Sequence, residues 1–122
     1  MDKIGFDQFE TIDIRIGTVV KAEVPEWSHW VMRITVDLGE KIGEKKCFSG
    51  IMKFFKPEDL VGKQFPFVTN LDPRKIGPEK ELSEVMMIMS VPGDELPEEE
   101  SENVAPVLFQ LQEKVPNGTK VR

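Results

Sequence analysis

The chain has 122 residues, of which 22 are acidic, 16 are Lys or Arg and 39% are hydrophobic, and its formal net charge is −6. This length predicts one domain over residues 1–122, and the hydrophobic share excludes a disordered chain. No run approaches the roughly 18 apolar residues that span a bilayer, the N-terminus lacks a signal-peptide pattern, and the single Cys47 excludes an internal disulfide. We therefore expect a cytoplasmic protein with no membrane partner.

The negative charge is concentrated in one segment. Six acidic residues lie between Pro92 and Asn103, and the remaining 16 acidic residues balance the 16 Lys and Arg residues. The net charge therefore does not exclude a polyanionic ligand, because a neutral body can present a basic face. We expect the acidic segment itself to be an exposed loop.

The first predicted elements are a helical turn and a long, bent strand. Residues 6–11 form the turn, with Asp7 as its N-cap. From Ile12 to Val24 the sequence begins with strict apolar–polar alternation, which predicts a strand. Gly17 and the Val19-Val20 pair break the period, which indicates a bulge. A first strand that bends and serves two sheets is typical of small barrels.

Four more core strands follow at regular spacing, at residues 31–39, 45–51, 63–70 and 84–91. A helical turn at residues 56–62 separates the third strand from the fourth, and Pro57 occupies its first position. Short terminal strands follow at residues 107–111 and at the end of the chain. The sequence therefore predicts an all-β fold: a five-stranded OB-fold barrel with a short helix between strands three and four and extra terminal strands.

The stretch from Asn70 to Gly77 joins strands four and five and carries two adjacent cations, Arg74 and Lys75, directly after Pro73. Proline fixes its own φ and restrains the residue before it, so the approach to the cations is stiff. Two fixed cations suit a polyanion such as a nucleic-acid backbone. A solvated, charged loop without a ligand is the alternative, because charged loops are common.

Residues for catalysis or for a metal site are few. The chain has one histidine, His29, one cysteine, Cys47, and no tyrosine, whereas zinc takes three or four soft or imidazole ligands. No phosphate-binding glycine motif is present, and no carboxylate pair stands out as a tuned acid and base. We expect no enzyme activity, no metal and no cofactor, and we interpret Cys47 as a small buried hydrophobe.

Two apolar groups leave several roles open. Trp27 and Trp30 flank a turn, where they form core, a dimer surface or a platform for stacked bases. In strand five, Met87 and Met89 face one side and Met86 the other, which indicates a strand covered on both faces by core or by a second subunit. A flexible peptide-binding surface is the alternative, since methionine suits adaptable binding sites.

A series of short motifs resembles a known family. In chain order the motifs are Ile12-Asp13-Ile14-Arg15-Ile16-Gly17, Val36-Asp37-Leu38-Gly39, Ser49-Gly50-Ile51, residues 56–63, residues 70–76, Ser83-Glu84-Val85 and Val115-Pro116-Asn117-Gly118. The series is similar to the tRNA-binding-domain family. This family includes the C-terminal domain of bacterial methionyl-tRNA synthetase, free-standing tRNA-binding proteins, EMAP-type cytokine precursors and the CsaA export chaperones.

The resemblance implies a non-catalytic OB-fold homodimer that recognises folded tRNA by shape and phosphate contacts and presents it to an aminoacyl-tRNA synthetase. Carried over residue by residue, the tRNA contacts are Arg15, Ser49, Lys53, Lys56, Asn70, Arg74, Lys75 and Ser83. Lys and Arg neutralise phosphates, and Ser and Asn donate hydrogen bonds to phosphate or sugar. For Arg15, an ion pair with a neighbouring acid is an equal alternative to a tRNA contact. For Asn70 and Ser83, the equal alternative is that their side chains cap the loop by hydrogen bonds to the backbone.

Departures from the family pattern point to a second function. The segment at residues 77–83 is longer than usual in the family and carries two acids beside the cationic loop. Asp72 stands where tRNA-binding members often have Lys. Ser83-Glu84-Val85 and the ending at residues 115–120 look more like the CsaA branch. That branch is associated with preprotein binding through an apolar pocket near the dimer interface. The alternative function is therefore a CsaA-like chaperone that binds preproteins or unfolded peptides.

Overall fold

The computed structural model describes all of residues 1–122. Its helices are α1 (Phe6–Glu10), a 3-10 helix (Pro57–Asp59) and α2 (Glu98–Ser101), and its strands are β1 (Ile14–Glu23), β2 (Met32–Asp37), β3 (Glu44–Ser49), β4 (Gln64–Val68), β5 (Arg74–Ile76), β6 (Glu81–Ser83), β7 (Met86–Met87), β8 (Met89–Ser90) and β9 (Val107–Leu108). None of the helices has the length and apolar character that crossing a bilayer requires.

Five strands form one antiparallel sheet in the order β3-β2-β1-β4-β7. The sheet curls until β3 meets the end of β6 and the residue after it. There the amide of Glu84 donates to the carbonyl of Lys46 at 2.8 Å, and the amide of Phe48 donates to Ser83 Oγ at 3.1 Å. The result is a nearly closed barrel with a short helix between the third and fourth strands, which confirms the predicted fold.

The bend in β1 lets one strand serve both halves of the barrel. Its first part, from Ile14 to Thr18, pairs with β4, and its second part, from Thr18 to Glu23, pairs with β2. The register shifts between Val19 and Lys21, which confirms the bulge that the broken alternation predicts.

The core lies inside this curved sheet. The alternation of β2 buries Met32, Ile34 and Val36, and Leu38 continues the same face. All five residues of β4 are buried. Leu60, which follows the 3-10 helix, is also fully buried and belongs to the same core cluster. The burial of Leu60 therefore attaches the helical turn to the barrel core.

The prediction of one continuous fifth strand over residues 84–91 is wrong. Its first part is β7, which pairs with β4, and its second part is β8, which pairs with β9 in a separate small sheet. The break follows from Pro66. The amide of Ile88 still donates to the Pro66 carbonyl at 3.0 Å, but proline has no N–H to return the bond, so the ladder ends there.

Other boundaries also differ from prediction. The stretch from Asn70 to Gly77, predicted as a connecting loop, contains β5, which pairs with β6 as a hairpin. The last predicted strand is a single bridge between Arg15 and Lys120. The helical turn at α1 is confirmed, but Gly5 rather than Asp7 is its N-cap: the amide of Gly5 donates to Gln8 Oε1 at 3.1 Å. A long polar side chain can close a helix start when no Asp or Ser occupies the cap.

Gly17 allows β1 and β2 to pack closely. A Cβ at this position would lie 2.5 Å from Val36 Cγ2 and 2.8 Å from Leu38 Cδ2. We expect Gly17→Ala to lower the free energy of unfolding by about 1–3 kcal/mol, because the buried side chains have to move. Urea denaturation followed by circular dichroism measures this change.

Gly50→Ala is the matched control. No heavy atom lies within 4 Å of a Cβ at Gly50, and its φ is not positive. Equal stability of the two variants would show that the space beside Gly17 does not limit the packing of β1 against β2.

Candidate nucleic-acid interface

The predicted cationic loop is a β-hairpin on the outside of the barrel. Arg74 pairs with Ser83 and Lys75 with Leu82, and Gly77 and Lys80 adopt positive φ in the turn between the strands. Arg74, Lys75 and Lys80 are all exposed, and none of them forms an ion pair. This hairpin therefore presents three free positive charges to solvent.

Two further lysines lie beside the hairpin, and the sequence analysis missed them. Lys46 Nζ lies 3.6 Å from Glu81 Oε1, and Lys45 Nζ lies 3.6 Å from Glu84 Oε2. Both belong to β3, which is distant from the hairpin in sequence. A Lys-Lys doublet in a strand was the available signal, but only the barrel topology places it next to the hairpin.

Ser83 and Asn70 are engaged in the scaffold. Ser83 is buried, and its Oγ accepts the hydrogen bond from the amide of Phe48. Asn70 Oδ1 accepts from the amide of Asp13 at 2.9 Å, and its Nδ2 donates to the carbonyl of Thr11 at 2.6 Å. These bonds fasten both ends of the hairpin segment to the barrel, which is the capping role that the sequence left open.

Arg15 lies in an ion-pair network at the start of β1. Its Nε lies 3.0 Å from Asp13 Oδ1, and its Nη1 donates to the Gly118 carbonyl at 3.2 Å. Lys120 Nζ contacts the same Asp13 oxygen at 2.9 Å, and Thr69 Oγ1 donates to the carboxylate. Burial raises the pKa of Asp13, but the hydrogen bonds from Thr69 and Lys120 and the charge of Arg15 outweigh it, so the pKa is lowered overall.

Ser49 and Lys53 line a groove on another part of the surface. The groove is partly apolar, with Trp30, Phe54 and Met89 among its lining residues, and the acidic segment forms one wall. Lys53 Nζ donates to the Glu102 carbonyl at 2.9 Å and to Asn103 Oδ1 at 3.1 Å. The Lys53 cation is thus already occupied by the acidic segment.

The eight predicted contacts therefore occupy several different environments. Arg74 and Lys75 are free on the hairpin, and Lys56 is exposed just before the 3-10 helix. The other predicted residues hold hydrogen bonds or ion pairs within the chain or line the groove. Free cations on one hairpin can bind anions, whereas paired ones have to exchange a partner first.

The barrel interior contains the single cysteine of the chain. Cys47 is buried in the core, as predicted, and burial raises the pKa of its thiol to about 11. A thiol with so high a pKa stays protonated near neutral pH and is a poor nucleophile. No group of three or more His, Cys, Asp or Glu side chains is arranged to hold a metal ion.

Several known proteins are similar to this chain in fold and in sequence. The family described as "Putative tRNA binding domain" matches residues 14–120. The chaperone CsaA of Bacillus anthracis str. Ames is 34% identical, with a TM-score of 0.81 over 99% of this chain and 100% of that one. A MetRS-related protein from Pyrococcus horikoshii is 30% identical, with a TM-score of 0.83 over 100% of both chains.

The similarity extends to one region of larger enzymes. "Methionine--tRNA ligase 1" of Bacillus anthracis is 33% identical over 121 residues, which are 99% of this chain but only 16% of the ligase. The chain therefore spans a small part of the length of the ligases that it matches.

The Asp13 network predicts a dependence of stability on pH. Since the folded state has the lower Asp13 pKa, the unfolded chain takes up the proton first as pH falls. The stabilisation is complete above the unfolded-state pKa, near 4, and is lost as pH falls through the folded-state value. We expect Asp13→Asn to lower the free energy of unfolding by about 1–3 kcal/mol at pH 7, and this difference to shrink below about pH 4.

Urea denaturation between pH 7 and pH 3 measures the effect. Asp72→Asn is the control, because Asp72 is exposed and has no ion pair. A difference between wild type and Asp13→Asn that stays constant over this range would contradict the proposed cause.

Proposed function

Because the chain belongs to the tRNA-binding-domain family, we propose that it is a non-catalytic, cytoplasmic protein that binds folded tRNA through its backbone phosphates. The observation that carries this proposal is the β5–β6 hairpin, on which Arg74, Lys75 and Lys80 are exposed and unpaired. Arg and Lys neutralise phosphates and release counterions, which gives affinity without reading base sequence. Lys45 and Lys46 on β3 extend the same surface.

The acidic segment restricts where tRNA approaches. It lies against the groove that contains Ser49 and Lys53, and its Glu102 carbonyl accepts a hydrogen bond from the Lys53 ammonium group. The carboxylates of this segment repel a phosphate backbone that comes within about 8–10 Å at physiological salt. We therefore place the first phosphate contacts at the hairpin, and contacts to Ser49 and Lys53 require the acidic segment to move.

We further propose that residues 1–122 act as one binding module that delivers tRNA to an aminoacyl-tRNA synthetase. The matching region of methionine–tRNA ligases supports this role, since there a segment of this kind is part of the enzyme chain itself. The module contributes binding and orientation, and the partner contributes the chemistry.

A CsaA-like chaperone function is the second candidate, and the groove favours it. Trp30 is 71% exposed at this groove, beside Phe54, Met89 and Val104. An exposed apolar groove of this kind suits an extended, apolar polypeptide segment. The full-length similarity to the B. anthracis CsaA structure supports the same function.

We also propose that two copies form a homodimer through the N-terminal segment. Helix α1 buries none of its residues, and Ile4 and Phe6 are 62% and 67% exposed. Phe9 lies on the same side as Phe6, with ring centroids 6.4 Å apart. A second apolar surface, such as the same segment of another copy, would bury these exposed apolar side chains.

The tRNA proposal predicts a loss of binding in Arg74→Glu/Lys75→Glu. We expect the affinity for total tRNA to fall at least about tenfold, and the slope of log affinity against log salt to decrease by about two, because two phosphate contacts are removed. Fluorescence anisotropy with labelled tRNA across a salt series measures both quantities.

Lys63→Glu/Lys114→Glu is the matched control, since it makes the same charge change in a different cleft, beside Thr18 and Gln64. Equal losses in both double variants would indicate a diffuse charge effect and no hairpin site. If wild type binds no tRNA at low salt but binds reduced, unfolded polypeptide in a salt-tolerant way, the chaperone function replaces the tRNA function.

The dimer proposal predicts twice the mass of one chain in solution, and a single-chain mass for Phe6→Ser/Phe9→Ser. Light scattering coupled to size exclusion measures this mass. Val61→Ser/Leu96→Ser, which changes exposed apolar residues elsewhere, is expected to remain dimeric. A wild-type protein of single-chain mass at micromolar concentration would refute the dimer.

A further inference from the structure

The β5–β6 hairpin is too small to hold its position alone. Each of its strands has three residues, and all of them except Ser83 are at least partly exposed. It forms its own two-stranded sheet, outside the barrel sheet, and isolated two-stranded hairpins are marginal in water. The position of Arg74 and Lys75 therefore depends on contacts between the hairpin and the barrel.

One of these contacts is the ion pair between Glu81 on β6 and Arg33 on β2. Their side chains are 17% and 18% exposed, which makes this the least exposed ion pair in the protein. Arg33 also lies 3.2 Å from Glu23, and Lys46 lies 3.6 Å from Glu81. Loss of the Glu81 charge therefore removes the ion pair that joins β6 to β2 and leaves Arg33 paired with Glu23 alone.

Two aromatic residues support the hairpin beside this pair. A Cβ at Gly77 would lie 2.5 Å from Trp27 Cζ2, so the hairpin turn rests directly on the indole. Trp27 in turn packs against Phe48, with ring centroids 6.2 Å apart, and the Arg33 guanidinium lies 5.7 Å from the Phe48 ring. Trp27, Phe48 and Arg33 thus form one continuous support, called here the hairpin support.

We infer that Glu81 is a positioning residue for phosphate binding. Its pairing with Arg33 fixes β6 on the hairpin support, and the β5–β6 register then holds Arg74 and Lys75 outward in a fixed arrangement. Fixed cations bind a phosphate array with less loss of conformational freedom than mobile ones. This inference rests on the proposed tRNA function.

A positioning role for Glu81 and a simple charge effect predict opposite changes in affinity. An acidic residue beside a polyanion site repels the ligand, so its removal should strengthen binding if charge alone matters. A positioning role predicts the opposite, because the free cations lose their fixed arrangement. Glu79 provides the comparison, since it is on the same hairpin and exposed but forms no ion pair.

The experiment compares tRNA affinity in wild type, Glu81→Gln, Glu79→Gln and Gly77→Ala by anisotropy at fixed salt. We expect Glu81→Gln to weaken binding about fivefold, and Glu79→Gln to leave it unchanged or strengthen it. Gly77→Ala, which displaces the turn from Trp27 without a change in charge, should also weaken binding. In an Arg74→Ala/Lys75→Ala/Lys80→Ala background, Glu81→Gln should cause no further weakening, because its positioning effect acts through those three cations.

A second measurement follows the hairpin without tRNA. In a Trp30→Phe background, Trp27 is the single tryptophan. Displacement of the hairpin exposes Trp27, so we expect its emission to shift to the red in Glu81→Gln and Gly77→Ala but not in Glu79→Gln. Thermal melting by circular dichroism identifies any variant that has lost the barrel fold.

The outcomes separate the inference from the proposed function. If Glu81→Gln binds tRNA as tightly as wild type or more tightly, the positioning role is overturned. An unchanged Trp27 emission in both Glu81→Gln and Gly77→Ala overturns it as well. If wild type binds no tRNA, the proposed function fails, and the Trp27 emission then decides whether Glu81 holds the hairpin at all.

Discussion

The pairing of β1 on both of its edges is the constraint on which the rest of the structure depends. One strand cannot follow β4 and β2 around a tight curve unless it bends, and the bulge at Val20 provides that bend. Gly17 removes the side chain at the point where β1 crosses closest to Val36 and Leu38. Without this bend the sheet would stay open, and β3 would not approach the hairpin segment.

Closure of the barrel also explains how charge is distributed on the surface. Curvature brings Arg33, Lys45 and Lys46 from β2 and β3 against the acids of the β6 region, where they become paired. Arg15 and Lys120 are paired around Asp13 in the same way. The cations of the hairpin remain free. The acids of the scaffold therefore pair with Arg33, Lys45 and Lys46 but leave the hairpin cations unpaired.

Scaffold and candidate site share residues. Ser83 and Asn70, which the family resemblance implies as ligand contacts, use their side chains to hold both ends of the hairpin segment. A polar residue in a motif near a site can thus act by fixing the backbone that carries the contacting residues. Under the proposed phosphate-binding function, Glu81 extends the same principle to a charged residue, because its pairing with Arg33 holds β6 on the barrel.

The sequence by itself determined the fold, because the signals that encode it are local. Alternation in β2, the broken period in β1 and Pro57 at the start of the helical turn each reflect neighbours within a few residues, and the ordered motifs identified the family. The exposure of Arg74 and Lys75 followed from their loop in the same way.

Tertiary structure alone decided which charges are free. Lys53 donates to the Glu102 carbonyl 49 residues away, Lys120 pairs with Asp13 107 residues away, and Lys46 pairs with Glu81 on another strand. Tertiary structure also decided the division of the fifth strand. Pro66 removes a hydrogen-bond donor on the neighbouring strand, and residues 84–91 themselves contain no sequence signal of this loss. Long-range pairing has no local sequence period, and so the hairpin, its support and its neighbouring lysines became visible only in the folded chain.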